Sequence, residues 1–136
     1  MTHAAFALQK AVYTLLSGDA ELTSLTGGSR VHDGPPRDAA VPFVALDPVV
    51  TRNADGDIAP IEEHSLTLAV LSRGGGKKEV FAIAERVVAL LHDADLSLDD
   101  HRLVSLRCER QEVRQLADKK SFRGDLRFRA VTEPLT

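Results

Sequence analysis

Residues 66–91 read LTLAVLSRGGGKKEVFAIAERVVALL, and the change of period inside that stretch sets the fold class. Before the glycines, Leu66, Leu68 and Val70 alternate with Thr67 and Ala69, the period of a half-buried strand. After them, Val80, Ala84, Val87, Val88 and Leu91 recur at the spacing of one helix face, with Glu79, Glu85 and Arg86 outside it. A strand therefore runs through Gly74, Gly75 and Gly76 into an amphipathic helix that ends near His92.

Glycines followed by lysines suggest a phosphate-cradling loop, and the spacing rejects it. A Walker loop needs G-x-x-x-x-G-K-[ST], because backbone N–H groups wrap the phosphates, the lysine reaches the outer ones and the hydroxyl holds magnesium. Here Gly76-Lys77 is followed by Lys78, and Leu71 stands where the first glycine belongs. The dinucleotide pattern G-x-G-x-x-G fails as well, since Glu79 takes the third glycine's place. What survives is a generic anion site at a helix N-terminus. A small anion- or nucleotide-binding α+β domain using Gly74–Gly76 is thus the rival reading; a plain strand-to-helix corner is the preferred one.

Upstream, Ala5, Leu8, Val12, Leu15 and Leu16 predict a helix of about four turns stopped at Ser17-Gly18. Asp19 is placed to cap a short second helix carrying Leu22 and Leu25, ended by Gly27-Gly28. A short extended piece at 30–32 then meets Asp33-Gly34-Pro35-Pro36, which no regular element tolerates. Residues 43–50, FVALDPVV, read as one strand with Pro48 at an edge or bulge, and 51–63 as a long polar, acidic loop.

Downstream, residues 93–101 break the helix, and Val104, Leu106 and Cys108 restart the strand period. In the last stretch Phe122, Gly124, Leu126, Phe128 and Ala130 alternate with Arg123, Asp125, Arg127, Arg129 and Val131, and ADKK at 117–120 is the turn between the two final strands. The order of elements predicts a single α+β domain over residues 1–136, with an antiparallel-rich sheet and helices packed on one face.

The whole-chain figures narrow the function. A net charge of -3 over 136 residues argues against a general nucleic-acid binder, which carries a strong basic excess. One Tyr, five Phe and no Trp are too few for a base-stacking platform. The single cysteine, Cys108, excludes an internal disulfide and points to a reducing compartment. The first helix is interrupted by Gln9 and Lys10 and lacks a cationic start, so it does not read as a signal peptide. No apolar run approaches the roughly 20 residues that span a bilayer.

Catalytic and metal motifs fail one by one. Thr51, Asn53, Asp55, Gly56, Asp57 and Glu62 fall in a calcium-loop frame, but its first ligand is threonine and Pro60 intrudes. Histidines 3, 32, 64, 92 and 101 include no pair at zinc-ligand spacing. No G-x-S-x-G is present, and Cys108 shares its strand parity with Leu106, as a small buried hydrophobe does. No catalytic residue, cofactor or metal is expected.

The unusual feature is arginine. Arg107, Arg110, Arg114, Arg123, Arg127 and Arg129 all fall in the last two strands, interleaved with Glu109, Glu112, Asp118 and Asp125. One reading is a solvated, mutually paired β surface; the other is a charged protein–protein interface. Length favours the second. A strand over 103–116 would extend about 46 Å at about 3.3 Å per residue, against a diameter of roughly 37 Å for a compact domain of this size. Such a ribbon overshoots its own core and needs neighbours to cover it.

In order and spacing, ALQKAVYTLLSGDAELTSLTGG, RVHDGPP, VPFVALD, EEHSLTLAVLSRGGGKKEVFAIAERVVALLH, RLVSLR and GDLRFRAVTE resemble the tail-completion or tail-terminator family of long-tailed bacteriophages, including the version carried by gene transfer agents. The resemblance covers residues 4–133. It implies a virion subunit that forms a ring, typically a hexamer, at the head-proximal end of the tail tube. Such a ring ends tube polymerisation and meets the tail tube protein on one side and the head-completion, stopper or connector, protein on the other. DNA would pass through the lumen without specific binding, and no membrane is involved. It also implies assembly in the bacterial cytoplasm and a final place at the head–tail junction. The family carries no invariant motif to map, so the assembly contacts expected here come from the residues themselves: the six arginines, hairpin 110–124, and loop 51–63 with Asp55 and Asp57.

Overall fold

The computed structural model describes residues 3–34, 36–54, 60–74 and 77–135. Helix α1 (Ala4–Ser17) starts where the His3 imidazole accepts from the Ala5 N–H at 3.1 Å, and it buries Ala4, Ala7, Leu8, Val12 and Leu16. Asp19 caps α2 (Ala20–Thr26), its carboxylate accepting from the Leu22 N–H at 2.9 Å. The same carboxylate receives the Arg86 guanidinium of α3 (Lys78–Leu91), from Nε at 2.9 Å and Nη2 at 2.8 Å. A planar two-point fork fixes orientation as well as distance, so the cap of one helix is also the clamp to another. Arg86, with help from the Leu22 N–H, holds Asp19 below the usual carboxylate range. Helix α3 buries the predicted stripe with Ile83 added, while Val88 is only partly covered.

The strands are β1 (Val31–Asp33), β2 (Phe43–Leu46), β3 (Val50–Asn53), β4 (Glu62–Arg73), β5 (Ser97–Leu98), β6 (His101–Gln115) and β7 (Ser121–Pro134). They form one sheet in the order β1-β2-β4-β7-β6-β5, with β3 also beside β4. The β1–β2 pairing is parallel and the other pairings are antiparallel. Helix α3 crosses β4, β7 and β6, α1 lies by β1 and β5, and the three helices touch one another as a single layer. Between layer and sheet sits the core, with Leu66, Leu68 and Val70 from β4 and Leu126, Phe128 and Ala130 from β7 at its centre. The predicted α+β architecture with helices on one face is therefore the observed one.

Gly124 lets the two layers approach. A Cβ there would stand 3.3 Å from Val80 Cγ2 of α3 and 3.7 Å from Val113 Cγ2 of β6. At the strand-to-helix corner Gly74 has φ 84, a conformation open to glycine and strained for other residues. Its N–H donates to the Lys120 carbonyl at 3.2 Å, and Ser72 Oγ donates to Glu79 in the first turn of α3 at 2.5 Å.

Three expectations need correction. FVALDPVV is not one strand: β2 ends at Leu46 and β3 begins at Val50, with Pro48 between them, because proline has no N–H to continue a ladder. The acidic loop is shorter than expected, since Thr51 to Asn53 pair with His64 to Glu62 as a hairpin. The final hairpin is long, as predicted, but it is not a free ribbon: β4 runs beside β7 from Glu62↔Thr132 to Arg73↔Ser121. What lies open is the outer edge of β6.

Candidate assembly surface

The face of β6 and β7 turned away from the helices carries all six arginines, and the register sets them opposite one another. Arg107 pairs with Arg129, Arg110 with Arg127 and Arg114 with Arg123, while Glu112 faces Asp125 in the rung between the last two. Strand parity alone would not produce this, because residue 107 is odd and 110 and 114 are even. The register shift between Cys108 and Arg110 leaves Glu109 without a cross-strand partner and reverses the parity beyond it. A similar shift at Val104 leaves that side chain 46% exposed, so Val104 does not share the buried face of Leu106 as the sequence suggested.

Like charges directly opposite destabilise a sheet unless carboxylates intervene. Each arginine here has one within 4 Å. Arg129 reaches Glu63 at 2.9 Å, Arg123 reaches Asp125 at 3.0 Å and Asp47 at 3.3 Å, and Arg127 reaches Glu109 at 3.3 Å. Arg110–Glu112, Arg107–Asp93 and Arg114–Asp125 are looser, at 3.7, 3.8 and 3.9 Å. Glu63 is the most strongly engaged carboxylate. It is shared between Arg129 and Arg52, and those two guanidinium groups lower its pKa to about 2. Arg52, Glu63 and Asp47 were not legible as members of this surface, since they come from β3, β4 and the segment after β2.

This arrangement is a lattice of weak, exchangeable ion pairs. Exposed pairs contribute about 0–1 kcal/mol each, so the surface can trade partners with little loss to the fold. Of the six arginines only Arg123 is half-buried; the rest are exposed. The hairpin tip between the strands is rigidly built. Asp118 accepts from the N–H groups of Lys120 and Ser121 at 2.9 Å and from Ser121 Oγ at 2.7 Å, and these bonds lower its pKa to about 2.

The opposite side of the sheet contains a buried polar link between strands. His64 of β4 is bonded to Thr51 Oγ1 of β3 at 2.8 Å and to Thr132 Oγ1 of β7 at 2.9 Å. Burial pushes its pKa down, so the imidazole is held neutral. Cys108 is half-buried and burial pushes its thiol up, the opposite of what a nucleophile needs. Among the described residues no group of three or more His, Cys, Asp or Glu is placed to hold a metal, and no helix is long and apolar enough to cross a membrane. Asp55, Asp57, Gly75 and Gly76 lie outside the described residues. At the described part of the glycine corner, the Gly74 N–H is already committed to Lys120 and the Glu79 carboxylate occupies the first turn of α3.

Tail completion protein gp17 is the family that matches, over residues 10–133. Among solved structures, a chain of the virion of a native gene transfer agent particle is similar at 34% identity and a TM-score of 0.88, over 98% of this chain and 99% of that one. Among curated proteins no sequence matches. With almost the full length of sequence and fold accounted for, the chain belongs to the tail completion protein gp17 family.

Proposed function

We propose that this structural tail protein assembles as a ring, a hexamer by the family resemblance, on the head-proximal end of a tail tube. There it stops tube polymerisation and presents its other annular face to the head-completion protein, with DNA passing through the lumen unread. Assembly takes place in the bacterial cytoplasm and the ring ends at the head–tail junction of the particle. The observation that carries the reading is the long, helix-free face of β6 and β7 with its three arginine rungs. A terminator needs extensive, adaptable contact surface and no active site. The acidic segment 51–63, with Asp55 and Asp57, is assigned to the tail tube or to a neighbouring subunit.

The test is Arg110→Ser with Arg127→Ser, which removes the middle rung. Both side chains are exposed, so the isolated protein is expected to keep its melting temperature while particles lose tail-length control or head joining. Particles of normal length and infectivity or transfer activity would remove the arginine face from the proposal. The rival reading, an anion site at Gly74–Gly76, is disfavoured by the commitment of the Gly74 N–H to Lys120. A chain that bound nucleotide and ignored tail tube protein in light scattering would revive it.

A further inference from the structure

The sheet ends in two open edges of different character, and together they fit each other. On β6 the half beside the C-terminal end of α3 is closed: the Asp93 N–H donates to the Leu106 carbonyl at 2.8 Å, and the Cys108 N–H donates to His92 Nδ1 at 2.9 Å. Beyond the bulge this cover stops. Leu116 N–H donates to Ser121 across the hairpin, so by the alternation of an antiparallel ladder Gln111, Val113 and Gln115 direct their N–H and C=O groups away from β7. Val113 lies on the helix side, against Gly124.

At the other end of the sheet β1 is bonded to β2 through Arg30 C=O and Gly34 N–H, which leaves the groups of Val31 and Asp33 turned outward. This edge is recessed. Helix α1 stands beside it, and Phe6, Gln9, Lys10 and Tyr13 form with Val31 and Asp33 a groove of about 320 Å³. Phe6 is 61% exposed and Tyr13 42%, two aromatic side chains two helical turns apart on α1.

We propose that the open edge of β6, residues 111–115, in one copy adds as an antiparallel strand to the recessed edge of β1 in a second copy, Val113 entering the groove between Phe6 and Tyr13. The inference rests on the ring reading above and names its seam. Direction supports the match: β1 runs with β2, against β4, and β6 runs with β4, so copies related by rotation about an axis that runs along the strands bring the two edges together antiparallel. Main-chain bonds to an open edge supply affinity and alternate side chains in pockets supply specificity. The charged side chains Arg110, Glu112 and Arg114 protect the edge from indiscriminate pairing, while the other side presents one apolar residue between two glutamines. Different surfaces meet, so the contact is head-to-tail and propagates until it closes.

Crosslinking in purified particles tests this. In a Cys108→Ser background, Tyr13→Cys with Val113→Cys treated with a short bismaleimide is expected to give a ladder at integer multiples of the chain mass. Either cysteine alone should give monomer, and a mixture of the two single variants should give dimer and nothing larger. A double variant present at wild-type level without a ladder overturns the seam, as do bands at masses that are not multiples of this chain. Gln111→Pro decides the matter if the cysteine chain is not incorporated. Its lost N–H points outward, so the β6–β7 ladder survives. Loss of incorporation with an unchanged melting temperature supports the seam, and normal incorporation sinks it. Particles holding a single copy of the chain would instead defeat the ring reading itself.

Discussion

Strands β6 and β7 are almost equal in length, are joined by one turn and meet in three rungs of paired arginines on the same face, yet they are held in different ways. β7 has a neighbour on both sides and a helix over its inner face, and Phe122, Gly124, Leu126, Phe128, Ala130 and Thr132 are buried at every second position without a break. β6 has β7 on one side only for most of its length and is bulged twice. The difference sets what each strand can do. A strand fixed from three directions has one register and serves as the spine of the fold; a strand fixed from one direction can bend, shift its parity and offer its edge.

The sharpest way to break this comparison is to remove matched side chains from the two strands. Phe128 is fully buried, and its partner across the ladder, Cys108, is half-buried. Phe128→Ala is expected to cost about 3–5 kcal/mol, the range for a truncated core aromatic. Cys108→Ala should cost less than about 1 kcal/mol, because little apolar area is lost at an edge. Urea titration of both variants checks it; similar losses at the two positions would mean that β6 is as deeply embedded as β7.

That contrast also explains what could be read from the sequence. The alternation over 121–132 and the helix over 78–91 were legible because each has a single buried face repeated without interruption. The caps at Asp19 and Gly27 were legible because they are local chemistry. The rungs of arginine were not: their alignment depends on Glu109 being an extra residue, and nothing in CERQEV separates a bulge from a regular strand. The outer face drew Glu63, Arg52 and Asp47 from other strands, which no spacing rule connects to Arg129 or Arg123. Pro48 was recognised as an interruption, but whether the chain would bulge or leave the strand depends on β4 being long enough to pair with both pieces. The open groove beside α1 was invisible, because Phe6 and Tyr13 look like ordinary members of an amphipathic helix until β1 is seen to stop short of them.

A second, smaller effect probes how the spine meets the helix layer. Gly124→Leu places a branched side chain where a Cβ already meets Val80 at 3.3 Å and Val113 at 3.7 Å. Overpacking of this kind costs about 1–3 kcal/mol, and α3 should lift from the sheet at its N-terminal end. The pairing residue on β6, Val113→Leu, is expected to be milder because that strand can move outward. Hydrogen exchange would show it as faster opening of residues 78–84 in Gly124→Leu only; equal protection in both variants would remove the close approach as the reason for glycine.

The smallest effect lies at the other end of the hairpin, where β7 is tied to β4 by an imidazole and β6 by ion pairs. His64 is buried, bonded to Thr51 and Thr132, and held neutral with its pKa lowered by burial; Glu62 opposes that shift while His3 and His101 add to it. In the unfolded chain the imidazole takes up a proton at about pH 6.5, so on acidification the unfolded state gains protons before the folded one. Stability from this group is present above that value and declines as the pH falls below it toward the lowered folded pKa. Glu63, next in sequence but on the outer face, behaves differently: its stabilisation is complete above about 4.5 and is lost only as pH falls through about 2. Thermal melts between pH 7.5 and 5 should therefore show a decline that His64→Gln removes and Glu63→Gln leaves in place. A decline that persists in His64→Gln would shift the acid sensitivity to the outer ion pairs, and with it the claim that β7's inner face, and not the charged lattice on β6, sets the stability of the fold.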